Sequence, residues 1–446
     1  MRFSQNRKIA RVPELFGKLQ LLDPSVQRRA QVFFWLALTA AIILGIGLRS
    51  IHLTDVTSRS PDERVYTYFA QQIANDGLAT TQKIFYQYVN QRQLWDFPPP
   101  TRITTVVLDA AVMKISGVRD ARAGVFISWL FSCLSLILLA WVGVRLFNPW
   151  IALAAVIFLA ASMTELGMAR RAWQDTTVGF LSLLLFYLTC EIAANPRRFL
   201  WWLAFFCSGS FLLLTKQTGL IVYGLLGLWL CWELVSKERS WTLTVLMIAG
   251  GVVSIAISIA VWIVAAGDAA LALAAHEHSI RLGEGALAYA ASVMTSPWYQ
   301  FIGLLWTINP LTFVMVVTAS VVVIASSWSK TDYISLRNTN AAKVAVLIIW
   351  SFAAFVGFFP GMQELRIMSP ATGAYCLLAG TGVYYLVAIA RQKLPLLAGI
   401  ALALVAVVCG VVSIVGEYRI FTSAVVATGM QDLPVSWLRQ AIERRL

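Results

Sequence analysis

The chain has 446 residues, 59% of them hydrophobic and only 13% charged, and a formal net charge of +13. Soluble domains carry about 25% charged residues, so a water-soluble globular protein is excluded. The surplus Lys and Arg is scattered between apolar runs, a pattern that belongs to membrane topology and anionic lipid and argues against a nucleic-acid partner.

Apolar runs of the length needed to cross a ~30 Å hydrocarbon core recur along the chain. We read spans at 31–50, 122–146, 149–167, 175–194, 199–214, 218–235, 241–266, 298–326, 343–360, 370–390 and 394–415. The expected fold is an all-α polytopic membrane protein with about eleven transmembrane helices. It divides into an N-terminal segment 1–30, a transmembrane domain 31–416 and an amphipathic tail 417–446. The six cysteines show no paired spacing and read as small core residues. The first apolar run reads as a signal anchor, with no cleavable signal peptide before it.

Orientation follows from the basic residues. Arg2, Arg7, Lys8, Arg11, Lys18, Arg28 and Arg29 precede the first span and place the N-terminus in the cytoplasm. The loops this puts inside carry Arg145, Arg197, Arg198, Lys237, Arg239, Lys330, Arg337, Lys343, Arg391 and Lys393. The short outer loops carry only Arg170, Arg171, Lys216 and Arg366. These four exceptions to the positive-inside rule ask for a reason. The expected location is a multi-pass protein of the plasma membrane, or of the inner membrane in a bacterium.

The first outer loop, 52–120, opens with Ser60-Pro61-Asp62-Glu63. The S-x-x-E spacing with proline at the first helical position is a capping box, and acids in a first turn offset the helix dipole. A helix start alone would explain all four residues. From Asp62 to Gly77, Val65, Phe69 and Ile73 recur at four-residue spacing, and Arg102–Ser116 forms a second amphipathic stretch. Both read as helices lying at the membrane surface. The second long outer loop, 267–297, holds Asp268, Glu277, Arg281 and Glu284.

Asp62, Glu63, Arg64, Lys83, Arg170, Arg171, Asp175, Lys216 and Arg366 all fall on the outer side by this reading. Charges at the ends of spans are costly unless they face a wet cavity or a partner. Simpler readings are available for each: Lys216 and Arg366 can snorkel to headgroups, and Arg170 or Arg171 can pair with Asp175 one turn away. Several spans ending on one side with such charges is what those readings explain poorly. Carboxylates beside cations suit transfer from a phosphate-activated donor, the carboxylate taking a proton and the cations holding the phosphate. In a membrane, that donor is expected to be a lipid.

Asp62-Glu63-x-x-Tyr66-x-x-x-Ala70-x-x-Ile73-x-x-x-Gly77 resembles the opening motif of the GT-C membrane glycosyltransferases, in the branch of the protein O-mannosyltransferases and lipid A aminoarabinose transferases. Trp95-x-x-Pro98-Pro99, Gly117 and Ala121-Arg122 resemble that family's next segment. Arg170-Arg171-x-x-x-Asp175, Leu214-Thr215-Lys216 and Glu364-Leu365-Arg366 with Pro370 resemble its later elements. The ordered series covers Arg59–Gly382. Pro100 departs from the family's leucine and Ile367 from its tyrosine.

The resemblance implies a polyprenyl-phosphate-linked sugar donor and an inverting transfer on the extracytoplasmic face. It makes Asp62 the general base, Glu63 its neighbour in the acidic pair, and Asp175 a second active-site carboxylate. Lys216 and Arg366 would line the donor pocket, with Arg170 and Arg171 as further donor contacts. Arg64 and Lys83 are added for phosphate contact from charge and position alone. The acceptor is left open among protein, lipid and polysaccharide.

The sequence makes no cofactor certain and leaves a divalent cation open. His276-Glu277-His278 reads as solvated loop, because imidazoles two residues apart share a face only on a strand; these three would be the ligands if a divalent cation binds. Two alternatives remain: an O-antigen ligase or polymerase-like transferase, and a lipid or solute transporter. The first usually carries its large loop late in the chain, and the second calls for charges near the bilayer midplane.

Overall fold

The structure, a computed structural model, describes residues 24–51, 53, 60–94, 99–238, 240–280, 298–329, 339–358, 365–393 and 395–426. Segment 1–23, Trp95, Asp96, Pro98, Arg239, Lys330, Arg337, Glu364 and the tail from 427 onward lie outside the described residues, as do Arg281 and Glu284 of the second loop.

The described residues form helices joined by turns and short connectors, with no strand among them. After α1 (Pro24–Ser50) come three helices of the first loop, α2 (Pro61–Asp76), α3 (Thr80–Asn90) and α4 (Ile103–Ser116). Then follow α5 (Arg122–Val142), α6 (Pro149–Ala161), the short α7 (Met163–Met168), α8 (Asp175–Ala194), α9 (Phe199–Thr215), α10 (Gly219–Glu233), α11 (Trp241–Ala266) and α12 (Ala269–Ile280). The last five are α13 (Trp298–Ile308), α14 (Pro310–Ser329), α15 (Thr339–Phe358), α16 (Ser369–Lys393) and α17 (Leu396–Ile420). Seven helical segments among the described residues are long and apolar enough to cross a membrane: Arg28–Ser50, Arg122–Phe147, Asp175–Ala194, Gly219–Ser236, Trp241–Ala266, Pro310–Ser327 and Arg366–Ala390. Pro149–Ala161, Phe199–Thr215 and Asn340–Val356 are apolar but shorter.

Two of the expected spans are broken. The run 149–167 stops at Ser162, whose ψ of 118° is not helical, and resumes as α7. The run 298–326 breaks at Asn309-Pro310, because proline has no N–H to continue the ladder and restricts the residue before it. Asn309 Oδ1 caps the new helix by accepting from the Thr312 amide at 3.0 Å. Apolarity alone hides both breaks.

Helix α16 is the hub of the bundle and packs on α6, α8, α14, α15 and α17. Its close approach to α14 depends on Gly382, where a Cβ would lie 2.3 Å from the Met315 carbonyl oxygen. Small residues at such crossings let membrane helices meet backbone to backbone. The first-loop helices cap one end: α2 packs on α4, α4 on α5 and α9, and α3 on α11 and α12.

Helix α2 starts where the capping box predicts. Ser60 Oγ accepts from the Glu63 amide and Glu63 Oε2 accepts from the Ser60 amide at 2.8 Å. It ends at Gly77, whose φ of +85° suits a residue without a Cβ. Its stripe of Val65, Phe69 and Ile73 is buried with Val106, Ala110 and Met113 of α4 and with Ala123 of α5. The stripe therefore faces protein, and the two stretches pack on each other as a cap at one end of the bundle. Helix α3 between them was not expected; Phe85 and Tyr88 anchor it to Ala266, Ala269 and Leu273.

One acid in this cap makes no ion pair among the described residues. Asp109 of α4 is 2% exposed, and its Oδ1 has no hydrogen-bond partner among the described residues. Burial raises its pKa well above the carboxylate range. The folded state then holds a proton that the unfolded chain releases above about pH 4, so stability falls as pH rises from there toward the folded-state value. Asp109→Asn is expected to raise the melting temperature in detergent at pH 7, and the gain should vanish toward pH 4. A variant no more stable than wild type at pH 7 would contradict this.

Candidate active site

The two acids that open α2 have different surroundings. Glu63 is fully buried. Besides closing the capping box, it accepts from the Ala172 amide at 2.8 Å through Oε1 and pairs with Arg171 at 3.1 Å through Oε2. Ser60 Oγ also accepts from the Trp173 indole at 3.2 Å. Both Glu63 oxygens are thus used to bolt the start of α2 onto the connector between α7 and α8. That placement revises the acidic pair: Glu63 has the environment of an anchor, while Asp62 keeps 24% of its side chain exposed. The Asp62 carboxylate lies 3.9 Å from Arg366, which leads into α16.

Around Asp62 the fold gathers residues from five places in the chain. Asp175, the first residue of α8, is buried and accepts from Lys216 Nζ at 2.7 Å. Its Oδ2 has no partner among the described residues. The backbone carbonyl of Asp175 accepts from Ser369 Oγ, which fixes the start of α8 against α16. Arg366 stacks on the Trp173 ring, 4.5 Å from its centroid, with Arg171 4.8 Å from the same ring. Tyr66, one turn after Asp62, is fully buried; its hydroxyl accepts from Arg102 Nη1 and keeps its own proton to donate. Gln217, next to Lys216, donates to Thr101 beside Arg102 at 2.6 Å.

These groups share one electrostatic field. Burial pushes the Lys216 ammonium below its ordinary pKa; the Asp175 carboxylate resists that shift, and Arg102 and Arg366 add to it. Burial raises the Tyr66 phenol, with Arg102 opposing, so Tyr66 stays a neutral hydroxyl. Two carboxylates and three cations leave the cluster one positive charge in excess, with Asp62 the more exposed of its two acids. Such a cluster can hold a phosphate and steer a proton to the exposed acid.

The structure brings together Asp62, Asp175, Lys216 and Arg366, with Glu63 and Arg171 directly behind them. Arg170 is not in the cluster. It donates to the carbonyls of Leu166, Leu48 and Ile51 and lies over the Phe421 ring, so it holds the bundle rather than a donor. Neither Arg170 nor Arg171 pairs with Asp175; Lys216 does. Arg64 and Lys83 are exposed, on α2 and α3, whereas the cluster lies in the protein. Phosphate contact by these two has no support in the geometry.

His276, Glu277 and His278 fall on helix α12, not on a loop, and their side chains lie outside the described set. Among the described residues no group of three or more His, Cys, Asp or Glu could hold a metal ion.

Arg102 and Trp173 were missed. Arg102 read as the polar side of an amphipathic stretch; its position two residues after Pro98-Pro99-Pro100, just before a helical run, was the available signal. Trp173 carried none beyond lying between Arg171 and Asp175.

Residues 105–264 match the family model described as dolichyl-phosphate-mannose-protein mannosyltransferase. No curated protein sequence matches the chain. Among solved structures, ArnT from Cupriavidus metallidurans bound to undecaprenyl phosphate is similar with a TM-score of 0.53, over 93% of this chain and 78% of that one, at 16% identity. The oligosaccharyltransferase AglB of Archaeoglobus fulgidus, in complex with an inhibitory peptide and a dolichol-phosphate, is similar with a TM-score of 0.55 over 90% of this chain, at 11% identity. The fold is that of the GT-C membrane glycosyltransferases. The chain spans 56% of the length of the archaeal oligosaccharyltransferase. On this GT-C fold the segment matched by the family model carries Arg171, Asp175 and Lys216, while Asp62 and Arg366 reach the same cluster from outside it.

Proposed function

We propose that the chain transfers a sugar from a polyprenyl-phosphate-linked donor to an acceptor hydroxyl or amine, with Asp62 as general base. The observation that carries this reading is the contrast among the three acids. Glu63 and Asp175 are buried and held by Arg171 and Lys216, whereas Asp62 is the one an acceptor can reach. Asp62 takes the acceptor proton as the acceptor attacks the anomeric carbon. The bond from that carbon to the phosphate oxygen breaks, and polyprenyl phosphate leaves with the electron pair. Arg366 and Lys216, with Arg102, stabilise the charge gained by the leaving phosphate. Attack opposite the leaving group inverts the anomeric centre.

The lipids bound in ArnT and in the archaeal oligosaccharyltransferase support a lipid-phosphate donor for this fold. The distribution of basic residues supports an extracytoplasmic site and a cytoplasmic N-terminus.

The test is release of polyprenyl phosphate from a panel of polyprenyl-phosphate sugars by the purified protein in lipid nanodiscs, with acceptor-containing membrane extract supplied. Release from one donor with transfer of its sugar is expected. Absence of release from every donor would overturn the reading.

A further inference from the structure

Beyond the acids and bases of the cluster, a buried polar junction lies near the end of α17. Glu417 of α17 is 9% exposed and bridges two helix breaks. Its Oε1 accepts from the Met163 amide at 2.6 Å and its Oε2 from Asn309 Nδ2 at 2.8 Å. Met163 is the first residue of α7, and the Ser162 side chain makes no cap there. Glu417 supplies the acceptor for the first amide of this helix that the Ser162 side chain does not provide. One turn further on, Phe421 is fully buried, with the Arg170 guanidinium 4.6 Å from its ring centre.

Both contacts act on one piece of backbone, 162–174, which is α7 together with the connector that follows it. Glu417 holds its first turn and Phe421 its centre, through Arg170. The far end of the same connector presents Arg171, the Ala172 amide and Trp173, which grip Glu63 and Ser60 and lie beneath Arg366. The contacts that hold Ser60 and Glu63 from outside α2 come from this connector, and Asp62 lies between those two residues.

We propose that Glu417 and Phe421 are positioning residues of the active site. The end of the last helix sets the connector, and the connector sets the distance between Asp62 and Arg366. Neither residue touches a substrate. The proposal rests on the transferase reading for its effect on rate, but the geometry it asserts can be measured without turnover.

The test uses the full chain and three substitutions. Phe421→Leu keeps an apolar filling but removes the aromatic face under Arg170; Phe421→Tyr keeps the face; Glu417→Gln removes the charge at the start of α7. In folded protein, Phe421→Leu and Glu417→Gln are expected to lower kcat about tenfold or more with the donor KM nearly unchanged, the signature of lost orientation instead of lost binding. Phe421→Tyr should retain most of the wild-type rate. In parallel, each substitution is combined with Asp62→Cys, and labelling of the introduced thiol is followed by mass spectrometry. Labelling should speed up about threefold or more with Phe421→Leu and Glu417→Gln, and not with Phe421→Tyr, as local opening of the connector frees the start of α2. Should Glu417→Gln fail to fold, the Leu and Tyr pair at position 421 still decides. Unchanged labelling with Phe421→Leu overturns the proposal whether or not the protein transfers sugar. An active wild type with an unaffected Phe421→Leu overturns it as well, leaving the transferase reading intact. An inactive wild type with the expected labelling pattern sinks the transferase reading alone.

Discussion

Asp62→Asn is expected to lower sugar transfer by about 10²–10⁴-fold, the usual contribution of a general base, while leaving the fold intact. Asparagine is nearly isosteric and still accepts hydrogen bonds, but it cannot take the acceptor proton. The fold should tolerate the change because Asp62 is partly exposed and its ion pair with Arg366 is 3.9 Å long. At that distance the pair makes no direct hydrogen bond that the variant would lose. The capping box does not depend on Asp62 either, since Ser60 and Glu63 form it. A melting temperature near that of wild type with transfer at background separates a catalytic role from a cap. Full activity in the variant would remove Asp62 from the chemistry.

Lys216→Met is expected to cost both stability and function. Lys216 and Asp175 are 10% and 2% exposed and 2.7 Å apart, so the variant leaves a buried carboxylate whose Oδ2 already lacks a partner among the described residues. Breaking a buried pair by removing one member costs about 3–5 kcal/mol. A clear fall in melting temperature in detergent, with loss of donor binding, should follow. Adding Asp175→Leu removes the stranded charge and should recover most of the stability, because buried pairs are often replaceable by apolar groups of similar volume. Activity should not return. A single variant as stable as wild type would show that the pair is not buried as described, and recovered activity in the double variant would exclude both residues from the site.

What the sequence revealed depends on whether local pattern or long-range contact decides. The start of α2 was legible because a capping box is a local code, and Ser60, Pro61 and Glu63 sit where it places them. The convergence of Asp175, Lys216 and Arg366 was legible because charges at span ends need a shared reason to be there. The pair Arg170-Arg171 was not separable. The connector turns at these residues, so no periodicity tells which way each side chain points; one goes to Phe421 and the other to Glu63. Glu63 looked like a partner of Asp62 because the two are adjacent, yet successive residues of a helix face different directions, and only the contacts of Ala172 and Arg171 reveal its role. The breaks at Ser162 and Asn309 were hidden because hydropathy ignores backbone hydrogen bonding, and the carboxylate joining them comes from Glu417, far along the chain.

The most direct measurement of the central claim is the melting temperature of wild type and Asp62→Asn in detergent, each titrated with a panel of polyprenyl-phosphate sugars. One donor should stabilise both proteins to a similar extent, since its phosphate is held by Arg366, Lys216 and Arg102, while only wild type turns it over. A shift with no donor in either protein would contradict the lipid-phosphate pocket and return Asp62 to the role of a helix cap.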